Sequence, residues 1–578
     1  MKFLKILILC LVTTLLSCRK NQRKEDLKIL NVSISSEIST LDPVNSYDTI
    51  SAAVIYQTYE TLYEYHYLKR PYQLKPLLAS ELPLIENNGT KYTIKIKKNI
   101  RYHDDVSFAG KPRFVKAQDF IQQIKRLAFL PSKSNGWWLF DGKIKGLNIF
   151  RKNAGNSIEK FQSLAVSGLT APDNNTLVIE LTEPYPQMLF ALAMSFTAPM
   201  PLEAILKYDN NLNNRIIGTG PFKLKEWNPL SGLKLSKFEN YHESYYPSEG
   251  DRLANDKKLL KDAGKRLPFL EGVYYHIIKE DQTRWLNFRD HKIDYLVIPK
   301  DNYSSAIDIS GGLNQELKKE NINLQVAPTL TYWWLSFNMK DDLVGKKNKN
   351  LRLAIAHAIN IKKFLEIFTH NIGQKANSIY PPGVPGYNPA NRLPYHYDME
   401  KAKTYLAAAG YPGGKNLPTL KYDVRGTSTT NRQQASYIKS ELAKIGIEVE
   451  ISTNTFPSFL QKARSGNLQF WQDGWAMDYP DAENSLQLLT TKNHSPGPNS
   501  TYYSNPHFDK LFNKLKLMND GRDKTALMTK LEDIVNHDMP WIMQYYTRNY
   551  ILFHNYLKNY RHSDLIYNNL KYLRLEKQ

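Results

Sequence analysis

The chain has 578 residues, with 77 Lys plus Arg against 56 Asp plus Glu, a formal net charge of +21 and only 2 cysteines. Both cysteines, Cys10 and Cys18, stand near the N-terminus, so the remaining body has no disulfide and no thiolate metal site and must be stabilised by a core. This length suits two or three domains. The surplus lysines alternate along segments such as KYTIKIKKN (91–99), a pattern of solvated surface more than of a block for an anionic partner or membrane. No recognised nucleic-acid motif occurs, and nucleic acid is not an expected partner.

Residues 1–20, MKFLKILILCLVTTLLSCRK, open with Lys2 and Lys5 and continue in an apolar run from Ile6 to Leu16. The run is shorter than the ~20 residues of a membrane span and has the form of an export signal. A polar tether, RKNQRKED (19–26), leads to a strand-like LKILNVSI. The spacing of Ile55, Tyr59 and Leu62 in AAVIYQTYETLYEY predicts a helix. KYTIKIKKN alternates as a half-buried strand, and AQDFIQQIKRLAF puts Phe120, Ile121, Ile124 and Leu127 on one helical face. TLVIELTEPYP reads as a strand stopped by prolines. The charged stretch 248–270 reads as a surface helix. Further on, DMEKAKTYLAAAG is a helix capped by Asp398 and stopped by Gly410. TLKYDVRG, NRQQASYIKSELAKIG and IEVEI form a strand–helix–strand unit, which predicts parallel strands.

Several chemistries are excluded by spacing. AAAGYPGGKN lacks the first glycine of a phosphate loop, with Ala409 in its place, and Asn416 stands where a Ser or Thr would hold Mg²⁺. His103, Asp104 and Asp105 are adjacent, and adjacent strand side chains point to opposite faces instead of converging on a metal. There is no G-x-S-x-G elbow and no cysteine nucleophile in the body. Neither a metal, a cofactor nor an enzymatic activity is expected. DGWAMDYPDAENSL (473–486) gathers Asp473, Asp478, Asp481 and Glu483 with no basic residue among them. It is either an acidic surface loop or a partner for a cationic ligand group.

In chain order, TLDP (40–43), YETL (59–62), VKAQDF (115–120), GTGPFKL (218–224), SFNMK with LRLAIAHAIN (351–360), DMEKAKTYLAAAGY, LAKIGIEV and DGWAMDYPD resemble the motifs of extracellular solute-binding proteins that feed ABC importers, in the oligopeptide, dipeptide and nickel class. LLSC, ending at Cys18, resembles a lipobox, whose cysteine is acylated and becomes the mature N-terminus. The resemblance implies an α/β, two-lobed periplasmic-binding-protein fold with a hinge and an extra domain inserted in the first lobe. The implied boundaries are a signal peptide at 1–17, a lipid-anchored tether at 18–26, first lobe at 27–72 and 197–330 with a C-terminal return at 543–578, inserted domain at 73–196, and second lobe at 331–542. It implies a monomeric lipoprotein, anchored at the cell envelope, that captures peptides between closing lobes and passes them to a permease and its ATPase. A cell-wall peptide, a nickel chelate or a sugar is the alternative cargo, and a chaperone-like or adhesive surface role the more distant reading.

The same resemblance implies site residues. Asp478 would pair with a peptide's α-ammonium, Trp475 would wall the site, and Glu60 would lie near the same end. Asn338 would make a polar ligand contact or brace the hinge. Gln472 stands where some relatives carry an arginine for the peptide carboxylate, which argues against selection of a free C-terminus at a fixed length. Asp473, Asp481 and Glu483 are expected in turns or at the surface. His291 stands where relatives usually have glycine, and His242 where they usually have an aromatic.

Overall fold

The computed structural model describes residues 28–577 except Tyr47, Ile309 and Pro496. Cys18, the lipobox and the tether lie outside these residues. Among the described residues no helix is long and apolar enough to cross a membrane. Two compact units form: one from the residues up to Gln325 together with those from Ile551, the other from Val326–Tyr550.

In the first unit, β1 (Ile29–Ile34) precedes α1 (Thr49–Thr58), whose N-cap Asp48 accepts the Ser51 N–H at 2.7 Å. The helix stops at Thr58, and Tyr59 is already extended. Tyr59 and Leu62 therefore follow the helix rather than extend it, yet both are buried. Burial of every apolar residue around a helix end mimics helical periodicity, and the sequence pattern overran the boundary by a turn. The segment expected as an inserted domain builds its own antiparallel sheet from β2 (Leu84–Glu86), β3 (Lys91–Lys95), β4 (Leu169–Asp173) and β5 (Thr176–Glu180), in the order β2–β3–β5–β4. Over it lies α2 (Ala117–Ala128), where Phe120, Ile121, Ile124 and Leu127 are all buried. This sheet shares one apolar core with Ile55, Leu62, Ala204, Ile205 and Ile217 from the flanking segments.

The rest of the unit is a four-stranded sheet in which β1 runs parallel to β8 (Gly272–Ile277), with β6 (Phe222–Asn228) and β7 (Gly232–Lys237) beyond it. Stretch 248–270 is not the surface helix its charges suggest. It holds one five-residue helix, Arg252–Asp256, and tucks Ala254 and Leu267 among Tyr65, Tyr67, Tyr246 and Tyr572. Two of its acids are tied down: Asp251 to Arg561 at 2.6 Å and Asp262 to Arg574 at 2.8 Å. His291 takes φ +57, stacked 4.2 Å from His554. That left-handed backbone explains why a glycine suits the position.

Short β9 (Tyr295–Val297) leads toward β10 (Ile322–Phe337), which carries the chain into the second unit. There α3 (Lys349–Ala358) packs with the helix Met399–Ala408, whose N-cap Asp398 accepts the Lys401 N–H. The strand–helix–strand unit follows as β11 (Leu420–Arg425), α4 (Thr429–Ala443) and β12 (Val449–Asn454), with β11 and β12 parallel. Ala435, Ile438 and Leu442 bury the expected stripe of α4. After α5 (Phe456–Ser465), β13 (Phe470–Ala476) inserts between β10 and β11, antiparallel to the first and parallel to the second. α6 (Ala482–Leu486) and α7 (Arg522–Asp538) precede β14 (Trp541–His554), which lies beside β10 and returns the chain to the first unit. The chain passes between the two units at 325/326 within β10 and at 550/551 within β14.

Candidate functional site

A cavity of about 370 Å³ opens in the second unit, lined by Trp333, Tyr422, Val424, Arg425, Asn431, Gln434, Gln472 and Tyr545. Local chain geometry sets its wall. β11 ends at Arg425, and Gly426 follows with φ +116, where a side chain would strike Asn431 Nδ2 at 2.6 Å. The chain turns there, and Ser428 caps α4 by accepting the Asn431 N–H. Asn431 in turn donates through Nδ2 to the Arg425 carbonyl at 2.9 Å. Arg425 is thus held at a strand end, with its guanidinium 5.5 Å from the Trp333 ring. Trp333 lies across the sheet because its partner in register is Gly474, where a Cβ would come 2.7 Å from the indole. Tyr545 stacks with Trp333, ring centroids 6.3 Å apart.

Gln472, on β13, reaches this cavity, and its Nε2 donates to Gln544 Oε1 at 2.7 Å. Arg425 is the one basic side chain in the lining. A guanidinium presents a donor fork suited to a carboxylate, and aromatic walls suit apolar side chains. Sequence reasoning missed Arg425. Its signal was a basic residue ending the strand LKYDVR, just before a glycine and a helix cap.

Trp475 and Asp478 follow on the same chain segment and are clamped by one residue. Asn484 Oδ1 accepts the Trp475 indole N–H at 2.9 Å and the Asp478 backbone N–H at 3.2 Å, while its Nδ2 donates to Asp478 Oδ2 at 3.1 Å. Both Trp475 and Asp478 stay half-buried, and Asn484 is fully buried. Asn484 was also missed; its role depends on the turn that α6 makes after Asp481. The acids around Asp478 do not form a solvated loop. Asp481 caps α6 through the Glu483 N–H and accepts Lys524 Nζ at 2.7 Å in a buried pair. Glu483 accepts the Tyr479 hydroxyl at 2.6 Å.

Two expected ligand residues have other partners. Glu60, in the first unit, is buried, and its carboxylate accepts from Tyr241 at 2.7 Å, His242 at 2.9 Å and Thr219 at 3.1 Å. Burial alone would raise its pKa, but His242 and the other donors hold it below the ordinary range. Thr219 gets there because the turn Gly218–Gly220 packs on the end of α1, where a Cβ at 218 would lie 1.9 Å from the Thr58 carbonyl. His242 thus replaces an aromatic with a polar partner for a buried acid. Asn338 donates through Nδ2 to the carbonyls of Gly466 at 3.1 Å and Leu468 at 2.9 Å, and its Oδ1 accepts the Lys340 N–H. These bonds tie the end of β10 to the start of β13. The candidate cluster at His103 is likewise occupied with structure: His103 Nε2 donates to the Gly220 carbonyl, and Asp105 caps a short turn.

Residues 73–497 match the model for bacterial extracellular solute-binding proteins, family 5. The glutathione-binding protein GsiB of Escherichia coli K12 is 24% identical over 522 residues, covering 88% of this chain and 87% of GsiB. Among solved structures, the ABC transporter-associated periplasmic binding protein DppA of Helicobacter pylori, bound to the peptide STSA, superposes with TM-score 0.73 and 25% identity over 96% of this chain and all of that one. The periplasmic oligopeptide-binding protein OppAIV of Borrelia burgdorferi gives TM-score 0.70 at 22% identity, over 95% of this chain and 99% of that one. The chain belongs to the family 5 bacterial extracellular solute-binding proteins, the binding components of ABC importers.

Proposed function

We infer that this protein captures peptides outside the cytoplasm and delivers them to the permease and ATPase of an ABC importer. The observation that carries the reading is the Arg425 cavity, an aromatic-walled recess with one cationic group, on the same sheet as the segment that holds Trp475 and Asp478. Arg425 meets a ligand carboxylate or carbonyl, Asp478 meets an α-ammonium, and Trp475 and Gln472 contact the chain between them. A cation taken out of water needs a fixed opposite charge and further hydrogen bonds, which Asp478 with its Asn484 clamp supplies. Backbone pairing along an extended peptide adds affinity without reading its sequence. Glu60 and Asn338 support the fold rather than the ligand. Binding, not turnover, is the activity; the protein acts as a monomer, needs no cofactor, and is held at a membrane through acylated Cys18.

Glutathione is the second reading, favoured by the GsiB relatives and by the presence in that tripeptide of both carboxylate and ammonium groups. Mass spectrometry of what co-purifies with the protein and is released on denaturation tests both. Short peptides in the released fraction support the first reading, glutathione the second, and a sugar or a nickel chelate overturns both.

A further inference from the structure

Arg425 is approached from two sides. Trp333 lies on the cavity side, and Asp473 stands behind it, with Oδ1 4.0 Å from Nη1. The register places them together: β11 and β13 are parallel with Asp423 beside Trp471, so two residues further on Arg425 stands beside Asp473. Gln472 faces the cavity, and strand alternation turns its neighbour Asp473 to the other face. The acid is held there by the Gly474 N–H at 2.9 Å, the Trp471 indole at 3.3 Å and the Ser500 hydroxyl. Burial raises its pKa above the ordinary aspartate range, and Arg425 opposes that shift. At 4.0 Å the Arg425–Asp473 pair lies beyond hydrogen-bond distance. Asp473 therefore acts on Arg425 through its charge more than through orientation.

We propose that Asp473 is a specificity-determining residue: its carboxylate partly neutralises Arg425 and thereby sets how strongly the cavity prefers a free carboxylate over a neutral carbonyl end. The proposal rests on the peptide reading above. With Asp473 present, the substrate class widens from peptides ending at Arg425 to peptides that continue past it or end in an amide. A neutral amide at position 473 keeps the shape and removes the opposing charge, so ligands with a free carboxylate gain while neutral ends do not.

The test uses two degenerate tetrapeptide mixtures, one of free acids and one of C-terminal amides, with retained peptides counted by mass spectrometry. Asp473→Asn should raise the ratio of retained acids to amides about tenfold, the order given by Coulomb's law for two carboxylates flanking one guanidinium at an effective dielectric constant of about 20. Asp473→Ser should do the same, and it carries the test if Asp473→Asn fails to fold. Peptides retained with an unchanged ratio overturn this inference and leave the peptide reading standing. No retained peptide in any variant overturns both.

Discussion

Lys524 Nζ lies 2.7 Å from Asp481 Oδ2, and both side chains are almost fully buried, at 3% and 5% exposure. An aspartate after a proline reads as a surface turn, yet 43 residues later in the chain α7 brings a lysine beneath it. Removing one partner of a buried pair strands the other charge, at a cost of about 3–5 kcal/mol. Asp520, 3.0 Å from the same Nζ and half exposed, keeps part of that lysine paired. Asp481→Asn is therefore expected to destabilise the protein by about 3 kcal/mol, read as a fall in urea midpoint. An unchanged midpoint would show that water already screens this lysine.

Asp478→Asn addresses the ammonium site. Truncating one partner of a buried charge pair typically costs roughly 2–5 kcal/mol. The variant should lose about two decades or more in affinity for a free-amine peptide and little for its N-acetylated form, measured by isothermal titration. Equal losses for both forms would make Asp478 a structural residue held by Asn484.

Arg425→Gln addresses the opposite end. It keeps a donor for a carbonyl but removes the charge and the fork, so a free-acid peptide should weaken by about two decades. The corresponding C-terminal amide should change several-fold less. Fluorescence competition between the two forms gives the ratio directly, and a ratio equal to the parent's would remove Arg425 from ligand recognition.

His103 should shape acid stability. It is buried, its Nδ1 has no hydrogen-bond partner among the described residues, and burial lowers its pKa to about 4 from an ordinary 6.5. The folded state therefore binds the proton less readily than the unfolded chain. This stabilisation is complete above about pH 6.5 and is lost as pH falls toward 4, with a limit of roughly 3 kcal/mol. His103→Gln, which can still donate to the Gly220 carbonyl, should lose less stability between pH 7 and pH 4.5 in urea titrations. A parallel loss in both proteins would assign the acid sensitivity to other groups.

Cys18→Ser tests the anchor. The variant should appear in the aqueous phase after detergent phase separation, while the parent partitions with the detergent. Continued partitioning of the variant would exclude acylation at this cysteine.

What the sequence determined by itself was local. The strand–helix–strand unit 420–454, the buried stripe of α2 and the Asp398 cap are written in the spacing of neighbouring residues, because periodicity and capping act within a few turns of chain. Motif order carried the family. The roles of individual polar residues were legible only where their partners were near. Asp478 and Trp475 share Asn484 within ten residues, and the segment could be singled out whole. Glu60 meets Thr219, Tyr241 and His242 from more than 150 residues away, and nothing in YETL reveals that its carboxylate is already satisfied. The cation of the cavity is Arg425 on the neighbouring strand, while Gln472 alone was visible as a missing arginine. Strand pairing decided that, since which side chains stand side by side across a sheet depends on register between distant segments. Local spacing does not encode that register.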